Sequence, residues 1–205
     1  MNNVPKIMVK SEGIAAIGSY AASLWSTRKI VLLSDKKSFD AEGAKVLQYL
    51  TIMGFDVQTL VLNEPLYTTA IANLVYQFLS DQKITKNDGI ICLGNENLCQ
   101  LSSLVATTYS QVIPLIQIPT TLIAQLTVCI KKRSNLSKLI ENSSSSLSGI
   151  LIDTALSNLS SKKELESAQS LLLRSGYSQD HFFRQELRKK KRIDNYQLNF
   201  KKLFL

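Results

Sequence analysis

From Lys29 the chain reads Lys-Ile-Val-Leu-Leu-Ser-Asp, a short apolar, β-branched run that ends on polar residues. A run with no polar alternation has no face to give to water, so it reads as a strand buried on both sides, as in a parallel sheet covered by helices. The same type of run recurs. Val57 to Leu62 makes a second strand, Gly89 to Gly94 a third, Ile113 to Ile118 a fourth stopped by Pro119, and Ile150 to Asp153 a fifth. Between them, residues 39–53, 67–82 and 97–109 carry apolar positions at helical spacing. Residues 13–25 are mildly apolar and follow Lys6 and Lys10, but glycines, serines and a tyrosine make them a poor signal sequence, so they read as a helix packed on the domain.

Alternating strands and helices require crossover connections and a mostly parallel, Rossmann-like sheet with helices on both faces. Ligands on such sheets bind beyond the C-terminal strand ends, here around Asp35, Glu64, the 94–97 turn and the 119–125 turn. The expected division is a nucleotide-binding-type domain over 1–155, a helical segment over 156–190 and a basic tail over 191–205. The tract from Asn142 to Ser146 reads as a flexible loop, and from Ser161 the pattern is helical with no further strand.

Composition narrows the function classes. At 205 residues and 45% hydrophobic, the chain has a globular composition. No run is long and apolar enough to suggest a membrane span. Three cysteines, Cys92, Cys99 and Cys129, form no C-x-x-C pair and no disulfide framework, which favours a reducing cytoplasm. Of the net charge of +8, residues 181–205 hold eight basic side chains against Glu186 and Asp194, a balance of 8 − 2 = +6. The run from Arg188 to Arg192 reads as a solvated tail, with binding to nucleic acid as the alternative.

One string is more specific. Ile116-Gln117-Ile118-Pro119-Thr120-Thr121-Leu122-Ile123-Ala124-Gln125 resembles the Q-I-P-T-T-L-L-A-Q segment of 3-dehydroquinate synthases. Ala106-Thr107-Thr108-Tyr109 is similar to that family's A-A-T-Y, and Ile150 to Thr154 to its V-L-I-D-T. Asp35 falls at its V-T-D aspartate, and residues 63–67 at its G-E-x-x-K. The resemblance covers about residues 12–183. It implies an enzyme that uses NAD and a divalent metal, usually zinc, to convert 3-deoxy-arabino-heptulosonate 7-phosphate to 3-dehydroquinate in the shikimate pathway. It also implies cofactor contacts at Asp35, Glu64, Gly94, Thr120, Thr121 and Thr154, and substrate contacts at Arg133 and Lys138, all vestigial.

The departures from the family fall on its chemistry. Where the family has G-G-G-V-x-G-D, so that the backbone can approach a pyrophosphate, this chain has Gly94-Asn95-Glu96-Asn97-Leu98-Cys99-Gln100. Its D-S-S-V-G-G-K becomes Thr127 to Arg133, keeping only a cation. Its metal-binding A-E-V-I-K becomes Ser170-Leu171-Leu172-Leu173-Arg174, and leucine cannot bind zinc. The lone histidine, His181, cannot build a metal site, and most of the family's C-terminal metal domain has no counterpart. The expectation is therefore no catalytic residue, no metal ligand and no NAD, in a synthase-like protein with a structural or regulatory role. It would dimerise with itself or with an active relative. The alternative is a working synthase completed by another chain. Thr120 and Thr121 have two readings, as phosphate or ribose ligands and as caps of the following helix.

Overall fold

The computed structural model describes residues 5–26, 28–63, 69–133, 146–157 and 161–174. In chain order the elements are strand β1 (Lys6–Lys10), a 3-10 turn (Gly13–Ala16), helix α1 (Ile17–Ala22), β2 (Lys29–Asp35), α2 (Lys36–Ser38), a π-helical turn (Phe39–Gly43) and α3 (Ala44–Ile52). There follow β3 (Asp56–Leu62), α4 (Thr69–Asp81), β4 (Gly89–Gly94), α5 (Glu96–Thr108), β5 (Leu115–Pro119), α6 (Leu122–Arg133), β6 (Leu147–Asp153), α7 (Thr154–Ser157) and α8 (Lys162–Arg174).

The six strands form one sheet in the order β1-β6-β5-β4-β2-β3, and every pairing is parallel. Alternation along each strand divides the core by face. Val31, Leu33, Ile90 and Cys92 pack with Val75 and Leu79 of α4 and Leu98, Leu101 and Val105 of α5. Ile30, Leu32, Ile91, Leu93, Ile116 and Ile118 pack with Ile17 and Tyr20 of α1 and Val46 and Leu50 of α3. A third cluster joins Ile7, Val9, Ile150 and Ile152 to Leu122 and Leu126 of α6 and to Leu165, Ala168 and Leu171 of α8.

The fold class agrees with the sequence reading, with corrections in detail. Lys6–Lys10 is a strand that the sequence did not reveal, because its three apolar residues lie between lysines at an edge. Pro119 ends β5 as its last residue, paired with Gly94, one position beyond the Ile118 expected. Ile113 precedes β5, its amide closing the end of α5 on the Ala106 carbonyl at 2.9 Å. The helical segment expected from residue 39 already starts at Lys36 and passes through the π-helical turn. Of the serine tract, only Ser146 lies within the described residues. It is buried, its carbonyl accepting from Leu115 N at 2.8 Å. His181 and the basic tail lie outside the described residues.

Tyr20 ties the β1 edge to the sheet. Its hydroxyl donates to the Lys6 carbonyl at 2.6 Å and lies 3.2 Å from the Ile150 carbonyl. Burial disfavours the phenolate and pushes the pKa up from 10.0 to about 12. The folded state therefore holds the proton more tightly than the unfolded chain does. The resulting stability is complete below pH 10 and is lost as pH rises to 12. Folding stability should fall by roughly 2 kcal/mol over that window. Denaturant titrations at several alkaline pH values would measure the fall, and in Tyr20→Phe it should largely vanish.

Candidate functional site

In this strand order the chain leaves β2 for β3 at one edge, then crosses back to β4 on the other side of β2. The crevice outside the C-terminal ends of β2 and β4 is thus the switch point of the sheet, the place where such folds bind ligands. Asp35 ends β2 and Gly94 ends β4, so the structure brings these two expected residues together.

The Asp35 carboxylate is almost fully buried. Its Oδ1 accepts from Ser38 N at 2.8 Å, capping α2, while Oδ2 accepts from Ser38 Oγ at 3.0 Å and from Asn95 N at 3.0 Å. Ser38 Oγ also lies 2.8 Å from Thr120 Oγ1, and Thr120 N donates to the Gly94 carbonyl at 2.9 Å. A continuous polar chain therefore runs across the ends of β2, β4 and β5. A Cβ on Gly94 would come within 2.6 Å of Asp35 Oδ2 and 2.4 Å of Leu98 Cδ2, so this glycine makes room for the protein's own side chains.

At the start of α5, Asn95 Oδ1 accepts from Leu98 N at 3.1 Å, and the Glu96 carboxylate stands in the first turn, holding Gln100 Nε2 at 3.0 Å. The partial positive charge at this helix start faces the chain's own carboxylates and cap. At the start of α6, Thr121 Oγ1 accepts from Ala124 N at 3.2 Å, and Glu164 Oε1, reaching over from α8, accepts from Leu122 N at 2.9 Å. Thr121 therefore acts as a helix cap, and Thr120 as a link to Ser38.

Thr154 is half-buried at the start of α7, one residue past Asp153. Asp153 is the residue that sequence reasoning missed. Its carboxylate accepts from Ile14 N at 3.0 Å and Ala155 N at 2.9 Å, fixing the turn before α1 to the end of β6. A carboxylate closing a run that is otherwise apolar was the available signal. Arg133 ends α6, while Glu64 and Lys138 lie outside the described residues. Among the described residues, no three His, Cys, Asp or Glu side chains group as metal ligands, and no helix is long and apolar enough to cross a membrane.

Parallel strands, helices on both faces and a crevice at the switch point define a doubly wound domain of the dinucleotide-binding type. Residues 59–142 match the family described as 3-dehydroquinate synthase N-terminal. The 3-dehydroquinate synthase of Lactococcus lactis subsp. cremoris is 33% identical over 153 residues, which are 72% of this chain and 43% of that protein. That of Enterococcus faecalis is 32% identical over 122 residues, 58% of this chain and 34% of that one. The chain is a relative of 3-dehydroquinate synthase over that enzyme's N-terminal domain, and it spans less than half the length of these two relatives. Among solved structures, 2-deoxy-scyllo-inosose synthase complexed with carbaglucose-6-phosphate, NAD+ and Co2+ superposes with a TM-score of 0.65 at 15% identity, over 82% of this chain and 48% of that one.

Proposed function

We propose that this chain is a non-catalytic 3-dehydroquinate synthase-like protein that serves a structural or regulatory role rather than running the synthase reaction. The observation that carries this reading is the turn between β4 and α5. A pyrophosphate at that helix start needs free amides and an open backbone. Here Asn95 N is held by Asp35, the space beside Gly94 is filled by Leu98 and Asp35, and Glu96 adds a further carboxylate to the first turn of the helix. These residues do not fit the cofactor.

The metal fares no better. Leu171, at the position where the resemblance puts a glutamate ligand, packs half-buried in the cluster of Leu122, Leu126, Ile150 and Ile152, and a leucine side chain offers no lone pair to a cation. The reading therefore derives no hydride or elimination step. On similarity alone the chain stands with 3-dehydroquinate synthases and related sugar-phosphate cyclases. The loss of both cofactor and metal groups separates it from their chemistry.

Calorimetric titration with NAD, alone and with zinc, tests the reading. No saturable heat is expected up to about 1 mM ligand, a concentration that would reveal even weak affinity. A micromolar dissociation constant, or dehydroquinate formed from the heptulosonate phosphate by the pure protein, would overturn it.

A further inference from the structure

Strand β1 stands at an edge of the sheet. It pairs with β6 on one side, and among the described residues no strand pairs with the other. Its middle residues Ile7, Met8 and Val9 are all half-buried. Ile7 and Val9 belong to the cluster that α8 closes, where Leu165 and Leu171 are half-buried too. Apolar surface therefore stays partly open along this edge.

The path of the chain leads to it. Ile150 pairs with Gln117, whose Nε2 donates to the Cys99 carbonyl of α5 at 2.7 Å, so α6 and α8 lie on the same face of the sheet as α4 and α5. On that face the chain passes from β3 over β2 to β4, then to β5, then to β6, each step in the same direction. α8 begins a fourth step. Its Glu164 reaches the first residue of α6, and Leu165, Ala168 and Leu171 stay in the cluster, so it runs back over the sheet from the C-terminal ends of the strands. Its 13 residues span about 20 Å, the length of a strand, and bring the chain to the end of the sheet where β1 begins. Crossovers in one sheet keep one hand, so the next position is the open side of β1, one strand over just as β4 lies one strand over from β3.

The chain beyond α8 holds a stretch suited to that position. Tyr196-Gln197-Leu198-Asn199-Phe200-Lys201 lies outside the described residues, within the segment that reads as a basic tail, yet its apolar and polar residues alternate strictly. Such alternation is the pattern of a strand with one face covered. A second copy of β1 fits the edge less well: antiparallel pairing about Met8 would set Lys6 opposite Lys10 of the other copy, and like charges directly opposite destabilise a pair. Residues 196–200 carry no charge.

We propose that residues 196–200 add a seventh strand to the sheet, parallel to β1 on its open side. Tyr196 then lies beside Ile7 and Leu198 beside Val9, on the face where Leu165 and Leu171 are still half-open, while Gln197 and Asn199 turn to the other face. Residues 175–195 form the connection. The occupant of the edge is thus the chain's own C-terminal segment.

Cross-linking of the full chain tests the pairing. Adjacent strands lie about 4.8 Å apart, within disulfide reach. Val9→Cys combined with Leu198→Cys should close an intramolecular disulfide under mild oxidation, located by peptide mapping. Val9→Cys combined with Gln197→Cys should not, because the two side chains point to opposite faces. Hydrogen exchange gives an independent measurement on the unmodified chain. Amides over 196–200 should exchange at least about 100-fold more slowly than in an unfolded peptide. Leu198→Asp should remove that protection while the amides of β2 and β4 keep theirs. Absence of the 9–198 disulfide, equal cross-linking of both pairs, a disulfide joining two chains, or unprotected amides over 196–200 would each overturn the proposal. So would protection that appears only on adding a duplex oligonucleotide, the result expected of a nucleic-acid-binding tail. If the double-cysteine chains do not fold, hydrogen exchange decides.

Discussion

Gly18→Ala is expected to destabilise the chain by about 3 kcal/mol and to lower its melting temperature by roughly 6–12 °C. Gly18 sits in α1 where that helix crosses α3. A Cβ built there would stand 2.2 Å from the Tyr49 carbonyl oxygen and 2.7 Å from Met53 Cγ. Met53 can swing away, since it is flexible and 41% exposed. The carbonyl cannot, because it belongs to the backbone of α3, whose Val46 and Leu50 are buried against the sheet. The helices must separate, opening the packing of Ile17, Tyr20 and Ala21 on the core face. Against this, alanine is the better helix former by about 1 kcal/mol. The clash is the larger effect, because a methyl group at 2.2 Å from backbone has no rotamer to escape into. Thermal unfolding followed by circular dichroism measures the outcome. A variant that melts at or above the wild-type temperature would mean that α1 and α3 are not packed this closely.

Much of the fold was legible because burial on both faces leaves a plain mark. β2 and β4 are nearly uniform apolar runs, and both lie inside the sheet, buried as the reading expected. β1 was not legible, since an edge strand needs only a few apolar residues and Lys6-Ile7-Met8-Val9-Lys10 is short and flanked by charge. Pro119 marked the end of β5 to within a residue: a proline breaks a ladder only where its N–H would have been used, so it fits as the last residue of the strand, with Thr120 N closing on the Gly94 carbonyl.

The candidate site was legible as a location and less so in its wiring. Asp35, Gly94 and Thr120 do meet at one end of the sheet, but their partners are Ser38, which belongs to no motif, and a backbone amide, that of Asn95, which no side-chain pattern reveals. Glu164 was invisible for the same reason, and Asp153 showed only as a carboxylate closing an apolar run. A carboxylate that accepts from a backbone amide of a distant segment leaves no periodic trace in sequence.

That wiring makes Asp35 the second position of large effect, and it separates a binding role from a structural one. Asp35→Ala should cost about 3 kcal/mol. The substitution strands Ser38 N and Asn95 N, both previously bonded to the carboxylate at 2.8 and 3.0 Å, and releases Ser38 Oγ from one of its partners. A buried donor left without an acceptor costs about 1–3 kcal/mol, and loss of the α2 cap about 1 kcal/mol more, while water entering the vacated space offsets part of the sum. Asp35→Asn keeps the shape and one acceptor oxygen, but its NH2 then faces a donor, so an intermediate cost of about 1–2 kcal/mol is expected. Denaturant midpoints would give the order wild type, Asn, Ala. Were Asp35 instead a cofactor ligand free of structural duty, the alanine variant would unfold with the wild type, and only its response to NAD would change. An unchanged midpoint in Asp35→Ala would therefore contradict the self-occupied switch point and reopen the dinucleotide reading. A large loss, with no NAD binding gained, is what a carboxylate committed to its own backbone predicts, because Glu96 still guards the start of α5 after Asp35 is removed.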